Sequence, residues 1–372
     1  MQSSPSNAHV ESIVTSQYGS QADQRLETNW NAGRFSNFYF PHPDHLDESH
    51  TAKVYCVTSS EKYLVSCSGD KSIRIWNLET QRLVVPPLLG HEESVLYVQF
   101  DEKEDIVISG GADAHVFIWQ FSTGKLIRWI RKAHAESVLS LKFNDQYLVT
   151  TSKDKSIKVW DRRELDLTST NDSTTNGLGL SPALTLQSGL SAAVIAVLLT
   201  EKHVISGSGD KRIKIWDIIT GKCLNTISVH EKGIATLNLS PDGRRIISGS
   251  SDNTIRIIDI ASGAELSCLN GHTNIVRSVA LQSSGSDLAN RMVSGSYDGT
   301  IIIWRQKADE QWEVDRTLSV QEAFRDEHGL PIGRLTEQEI SSGWRVFSVQ
   351  VSSRWIISGV QATTIVGWDF DI

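Results

Sequence analysis

Apolar residues in this chain come in short alternating runs, separated by small clusters of Gly, Asp, Asn and Ser. A run such as Ile73-Arg74-Ile75-Trp76 sends successive side chains to opposite faces, the period of a strand rather than of a helix. The same segment, read as strand, tight turn and strand, occurs seven times. Its first copy is Ser66-Cys67-Ser68-Gly69-Asp70-Lys71-Ser72-Ile73-Arg74-Ile75-Trp76, and the others end at Trp119, Trp160, Trp216, Ile258, Trp304 and Trp368. Asp70, Asp113, Asp154, Asp210, Asp252 and Asp298 each stand six residues before their anchor, and Ala362 takes that place in the last copy. The anchors are 43, 41, 56, 42, 46 and 64 residues apart, a period slightly above forty that is enlarged twice. Each period holds four short runs rich in β-branched and aromatic residues. In the second these are Val95–Phe100, Ile106–Ser109, Val116–Trp119 and a run after Ser122-Thr123-Gly124. Repetition at this length predicts an array in which each unit is stable only against its neighbours.

At these positions the chain resembles the WD-repeat family, whose units open on Gly-His and close on Trp-Asp. Gly90-His91, Gly271-His272, Trp160-Asp161, Trp216-Asp217 and Trp368-Asp369 match outright. Ser49-His50, Ala133-His134, Val229-His230 and Ile258-Asp259 match in part, while Trp76-Asn77, Trp119-Gln120 and Trp304-Arg305 keep only the aromatic. The resemblance covers roughly residues 34–372 and implies an all-β fold, a seven-bladed WD40 β-propeller of four-stranded blades. The chain reaches Ile372 just after the third strand of the last blade, so the strand-like stretch Arg34–Phe40 is expected to supply the fourth and close the ring. The domain organisation expected is a disordered polar tail over 1–29 and the propeller over 30–372, with insertions at 162–188 and 319–343.

The resemblance also assigns a structural role to the repeated polar residues. In the family, the His, a strand Ser or Thr, the turn Asp and the Trp form a hydrogen-bonded chain inside each blade. The residues concerned are His50, Asp70 and Trp76; His91, Asp113 and Trp119; His134, Asp154 and Trp160; Asp210 and Trp216; His230 and Asp252; His272, Asp298 and Trp304; and Trp368. Two blades depart from the pattern: Leu190 stands for the His of the fourth, and Ser342 and Ala362 replace His and Asp in the seventh.

Composition narrows the function. A net charge of −8, with basic residues scattered through the array, argues against nucleic-acid binding. No apolar run approaches a membrane span and no signal pattern opens the chain, so no membrane is expected and a cytoplasmic or nuclear location is. Cys56, Cys67, Cys223 and Cys268 form no CxxC pair and are read as reduced thiols. His42, Asp44, His45, Asp47 and His50 crowd one segment, but Pro41 and Pro43 extend it and His50 has a role in the blade, so no metal site is expected. Ser206-Gly207-Ser208-Gly209-Asp210 leads into a strand, not a helix N-terminus, so it is not a phosphate loop and no cofactor is expected. Ser, His and Asp recur with the fold and no unique nucleophile stands out, so no catalytic residue is assigned.

What remains is a binding surface. In the family, the positions three and five residues after the blade His, and the one before the Asp, face the top of the ring. Here they include Lys53, Tyr55, Lys153, Arg277, Tyr297, Arg345 and Phe347, cations and aromatics with no acid among the positions counted. Such a rim suits an acidic peptide or phosphopeptide of a partner protein. Several stretches, among them Trp30–Phe35, Pro41–His45, Leu78–Leu83, Lys132–Val138 and Thr151–Trp160, are similar to the WD part of fungal F-box/WD-repeat proteins, the substrate receptors of SCF ubiquitin ligases. That likeness implies substrate recognition with SCF components as partners, although Met1–Asn29 carries no F-box-like module. The alternative is a general scaffold for multiprotein assembly.

Overall fold

The computed structural model describes residues 21–165, 180–187, 189–282, 291–325 and 344–372. Among them are 28 strands in seven antiparallel sheets of four strands, a seven-bladed β-propeller. The first blade runs Val54–Ser59, Tyr63–Ser68, Ser72–Asn77 and Leu88–Leu89 from the axis outward, and the next five repeat that order. The seventh is built from Val346–Val351, Trp355–Val360 and Ile365–Asp369, and its outer strand is Ser36–Phe40 from the other end of the chain. Ser36 lies opposite Asp369 and Phe40 opposite Ile365. The ring is therefore closed by hydrogen bonds between the chain's two ends, which leaves the last blade no raw edge on that side.

The middle strands read as nearly unbroken apolar runs because both faces of every blade are covered. Seven apolar clusters fill the seven gaps between neighbouring blades. Between the first two, Ile73 and Ile75 meet Val107, Phe117 and Trp119. Between the last and the first, Phe40, Ile357 and Ile365 meet Val54, Leu64 and Trp76. Blades approach closely where the second strand carries glycine. A Cβ on Gly207 would lie 2.7 Å from Ile234 Cγ2 in the next blade, and one on Gly110 would lie 2.6 Å from Val138 Cγ1.

Every inner strand slips register once, at the same point. The pairing jumps from Val54 to Cys56, Val95 to Tyr97, Val138 to Ser140, Val194 to Ala196, Ile234 to Thr236, Val276 to Ser278 and Val346 to Ser348. The residues passed over are Tyr55, Leu96, Leu139, Ile195, Ala235, Arg277 and Phe347. A bulge adds twist and re-aims a side chain, so seven bulges set seven side chains around the mouth of the axis.

The N-terminal region differs from the expected tail. Residues 1–20 lie outside the described residues, but Gln21–Ala32 form a helix, here α1. Its sequence has few apolar residues, and it is held by docking rather than by an amphipathic stripe. Trp30 is buried and stacks on Phe370 with ring centres 3.6 Å apart, and its Nε1–H donates to the Ser353 carbonyl at 2.7 Å. Asn29 donates to the Phe370 carbonyl at 2.9 Å, and Arg291 holds Glu27 through its two terminal guanidinium nitrogens.

The insertions differ as well. Leu184–Leu186, expected within a loop, pairs with Ile157–Val159 as the outer strand of the third blade, because blade geometry needs a fourth strand there. In the second insertion a short helix, Val320–Ala323, is capped by Ser319, whose hydroxyl accepts the Glu322 N–H. Residues 166–179 and 326–343, and with them Ser342, lie outside the described residues.

Candidate protein-interaction face

Inside the blades the recurrent polar groups meet in a fixed order. In the first blade Trp76 Nε1–H donates to Ser66 Oγ at 2.8 Å, Ser66 faces His50 Nε2 at 2.8 Å, and His50 Nδ1 faces Asp70 at 2.9 Å. An indole is only a donor, so the hydroxyl that accepts from it donates its own O–H to Nε2, which leaves Nδ1–H to donate to the carboxylate. The second blade repeats this with Trp119, Ser109, His91 and Asp113. The third uses Trp160, Thr150, His134 and Asp154, and the sixth Trp304, Ser294, His272 and Asp298. The fifth, with Ile258 in place of the indole, keeps Ser248, His230 and Asp252. In the fourth, Trp216 still donates to Ser206, but Asp210 turns to Ser191 and the Arg212 N–H. In the seventh, Trp368 is buried, and Ser358 Oγ is buried with no hydrogen-bond partner among the described residues.

Burial opposes charge on these carboxylates, but the donors around them outweigh it. Asp70, Asp113, Asp154, Asp252 and Asp298 are held below the usual carboxylate range by hydrogen bonds from the ring nitrogens, neighbouring hydroxyls and backbone N–H groups. Burial pushes His50 and His230 down from the ordinary histidine value. The order Ser, His, Asp is that of a hydrolase triad. Yet Ser66, Ser109 and Ser294 are 0% exposed, and each oxygen already carries an indole N–H, so a substrate cannot reach them. These groups brace the blades.

The top of the ring is assembled differently. In each blade the residue before the Asp position donates its backbone N–H to the carbonyl of the residue three after the His position. The seven bonds run Gly69 to Lys53, Ala112 to Ser94, Lys153 to Ser137, Gly209 to Ala193, Ser251 to Gly233, Tyr297 to Ile275 and Gln361 to Arg345, all between 2.8 and 3.1 Å. The backbone thus joins two of the three rim positions in every blade, and the bulge supplies the third.

Five of the rim residues picked from sequence form one continuous row. Lys53 Nζ lies 5.5 Å from the Tyr55 ring centre, Tyr55 packs on Phe347 at 5.4 Å, Phe347 on Tyr297 at 5.5 Å, and the Arg345 guanidinium lies 5.4 Å from the Tyr297 ring. The row crosses from the first blade through the seventh to the sixth. Lys53 and Arg345 at its ends are exposed, while Tyr55 and Tyr297 are partly so. Arg277 sits at the channel mouth with a guanidinium N–H on the Ala235 carbonyl at 3.2 Å. Lys153 stands apart and pairs with Glu136 at 3.2 Å. The rim as a whole is therefore not free of acid: Glu136, from the loop after His134, lies outside the positions counted in sequence yet neutralises one of them.

Below the mouth the axis holds a cavity of about 470 Å³, lined by Lys142 and Arg277 together with Gln99, Thr236, Asn238 and Cys56. Lys142 and Cys56 were not singled out by the sequence argument. Their signal is positional, since they recur at alternate residues after the bulge on the inner strands. In the His-rich segment, His45 meets Arg82 at 2.7 Å and His50 belongs to the blade; among the described residues no group of three or more His, Cys, Asp or Glu could hold a metal. No helix among them is long and apolar enough to cross a membrane.

A closed ring braced by polar chains inside most of its blades, with aromatic and cationic side chains gathered on its rim, defines a propeller of the interaction type, a typically non-catalytic fold. The chain belongs to the WD domain, G-beta repeat family, whose profile matches residues 43–77, 83–120, 125–161, 189–217, 221–259 and 263–305. Among curated proteins it is similar to Mitochondrial division protein 1 of Vanderwaltozyma polyspora, 24% identical over 187 residues that make up 50% of this chain and 20% of that protein. It is 28% identical to Nuclear distribution protein PAC1 of Arthroderma otae over 200 residues, 49% of this chain and 43% of the relative. It is 24% identical to Autophagy-related protein 16 of Arabidopsis thaliana over 159 residues, 43% of this chain and 28% of the relative. The chain thus spans less than half the length of these relatives.

Proposed function

We propose that this chain is a WD-repeat scaffold that holds a partner protein on the top of its ring, taking an acidic or phosphorylated segment across the row from Lys53 to Arg345. The observation that carries this reading is the row itself: three aromatic rings in contact, with an exposed cation at each end. Aromatic and Arg side chains supply most of the binding energy at interfaces, and a guanidinium grips carboxylate or phosphate through two bonds. The relatives' names refer to different processes, which fits a fold reused to hold different partners.

A narrower reading, substrate recognition for an SCF ubiquitin ligase, rests on the stretches that resemble F-box/WD proteins. The comparisons lend their support to the scaffold instead. Affinity purification of the tagged chain, quantified by mass spectrometry against Lys53→Glu and Arg345→Glu variants, tests both. Partners lost from both variants support the rim. A partner set identical for all three forms contradicts it. Ligase adaptor and cullin among the partners would favour the narrower reading.

A further inference from the structure

The first blade differs from most others in what faces the bulge. Where the second, fourth, fifth, sixth and seventh blades place Gly110, Gly207, Gly249, Gly295 and Gly359 opposite the inner strand, the first places Cys67. Its direct partner across the sheet is Cys56. Direct partners in an antiparallel pair have Cα atoms about 4.5–5.5 Å apart, inside the range a disulfide spans. Both side chains turn into the same gap between the first two blades. Their access differs: Cys56 is 7% exposed and borders the axial cavity, whereas Cys67 is 0% exposed.

From this juxtaposition we propose that Cys56 and Cys67 form an oxidant-sensitive thiol pair, in which Cys56 meets a small peroxide entering the channel and Cys67 resolves the product. In the first step the Cys56 thiolate attacks one peroxide oxygen. The O–O bond breaks, Cys56 becomes a sulfenic acid and hydroxide leaves. In the second the Cys67 sulfur, losing its proton, attacks the Cys56 sulfur. The S–O bond breaks, water leaves and a disulfide remains. Two electrons pass from the thiols to the peroxide.

The surroundings favour this division of labour. The hydrogen bond from Cys67 lowers the Cys56 thiol against the opposing effect of burial, and Lys142 and Arg277 add to the lowering. Burial pushes the Cys67 thiol up, and Asp70 adds to that. A thiolate in reach of the channel and a thiol behind it are what a sensor and its resolving partner require.

The test uses the full chain, reduced, exposed to hydrogen peroxide at pH 7, alkylated at intervals and mapped by mass spectrometry. The expected product is a Cys56–Cys67 cross-linked peptide, formed about tenfold faster than any modification of the exposed Cys268. In Cys67→Ser, which keeps a hydrogen-bond donor beside Cys56 but cannot resolve it, Cys56 should instead be trapped as sulfenic acid by dimedone. Oxidation of Cys268 while Cys56 still alkylates fully would overturn the proposal. So would a Cys56 sulfenic acid in the unmodified chain that never cross-links.

Discussion

The same four residue types do different work according to which neighbour is missing. Asp154 accepts from His134, from the Ala135 N–H, and from the hydroxyl and N–H of Ser156. Asp154→Ala strands those donors, and hydrogen bonds to a charged, half-buried group are worth enough that a loss of about 3 kcal/mol is expected. Asp210→Ala, in the blade where Leu190 stands for His, should cost only about 1 kcal/mol, since its partners are exposed. Chemical denaturation of the two variants measures the difference. Acid should act through the same groups. His50 and His230 titrate lower in the folded chain than in the unfolded one, so their contribution is whole above the unfolded value of about 6.5 and is lost as pH falls through the lower folded value. The depressed aspartates have the same sign at lower pH, beginning near about 4. Melting temperature followed from pH 8 to pH 3 should therefore fall in two stages. A midpoint that rises on acidification would be incompatible with these networks.

Among the elements, helix α1 and the strand Ser36–Phe40 bring the two ends of the chain together. Helix α1 is mostly polar, and its grip is concentrated in Trp30, Asn29 and Glu27. Trp30→Ala removes the stack on Phe370, the bond to Ser353 and the ring under Arg291. The expected cost is about 3–5 kcal/mol, accompanied by faster amide exchange in Ser36–Phe40 and Ile365–Asp369, which hydrogen-exchange mass spectrometry would locate. Strands were legible in the sequence because alternation, turn residues and the repeated Asp coincide. Helix α1 was not legible, because the signal of a docked helix lies in its receptor and not in its own periodicity. Leu184–Leu186 was missed for a related reason: three residues beside a Ser- and Thr-rich stretch carry too little pattern to mark a strand. At the rim, the positions could be counted from the repeat, but which of them touch could not. Glu136 beside Lys153 and the pairing of Cys56 with Cys67 appear only once register is known.

For the whole molecule, closure and recognition are separate properties. The seventh blade is the one sheet whose strands, among the described residues, come from opposite ends of the chain. A truncation that begins at residue 41 would leave Ile365–Asp369 with an open edge and uncover Phe370. Such a chain should aggregate on size-exclusion chromatography rather than elute as the intact protein does. Recognition lies at the opposite extreme of burial. Lys53 and Arg345 are exposed, touch the aromatic row from its ends and take no part in the blade networks. The most direct measurement crosses the two properties: affinity for a partner recovered by the chain, titrated at low temperature, beside the melting temperature, for Arg345→Glu and Asp154→Ala. Arg345→Glu should weaken binding by about tenfold with melting unchanged, and Asp154→Ala should lower melting with affinity unchanged. Intact binding by Arg345→Glu, together with binding lost in a still-folded Asp154→Ala, would contradict the account.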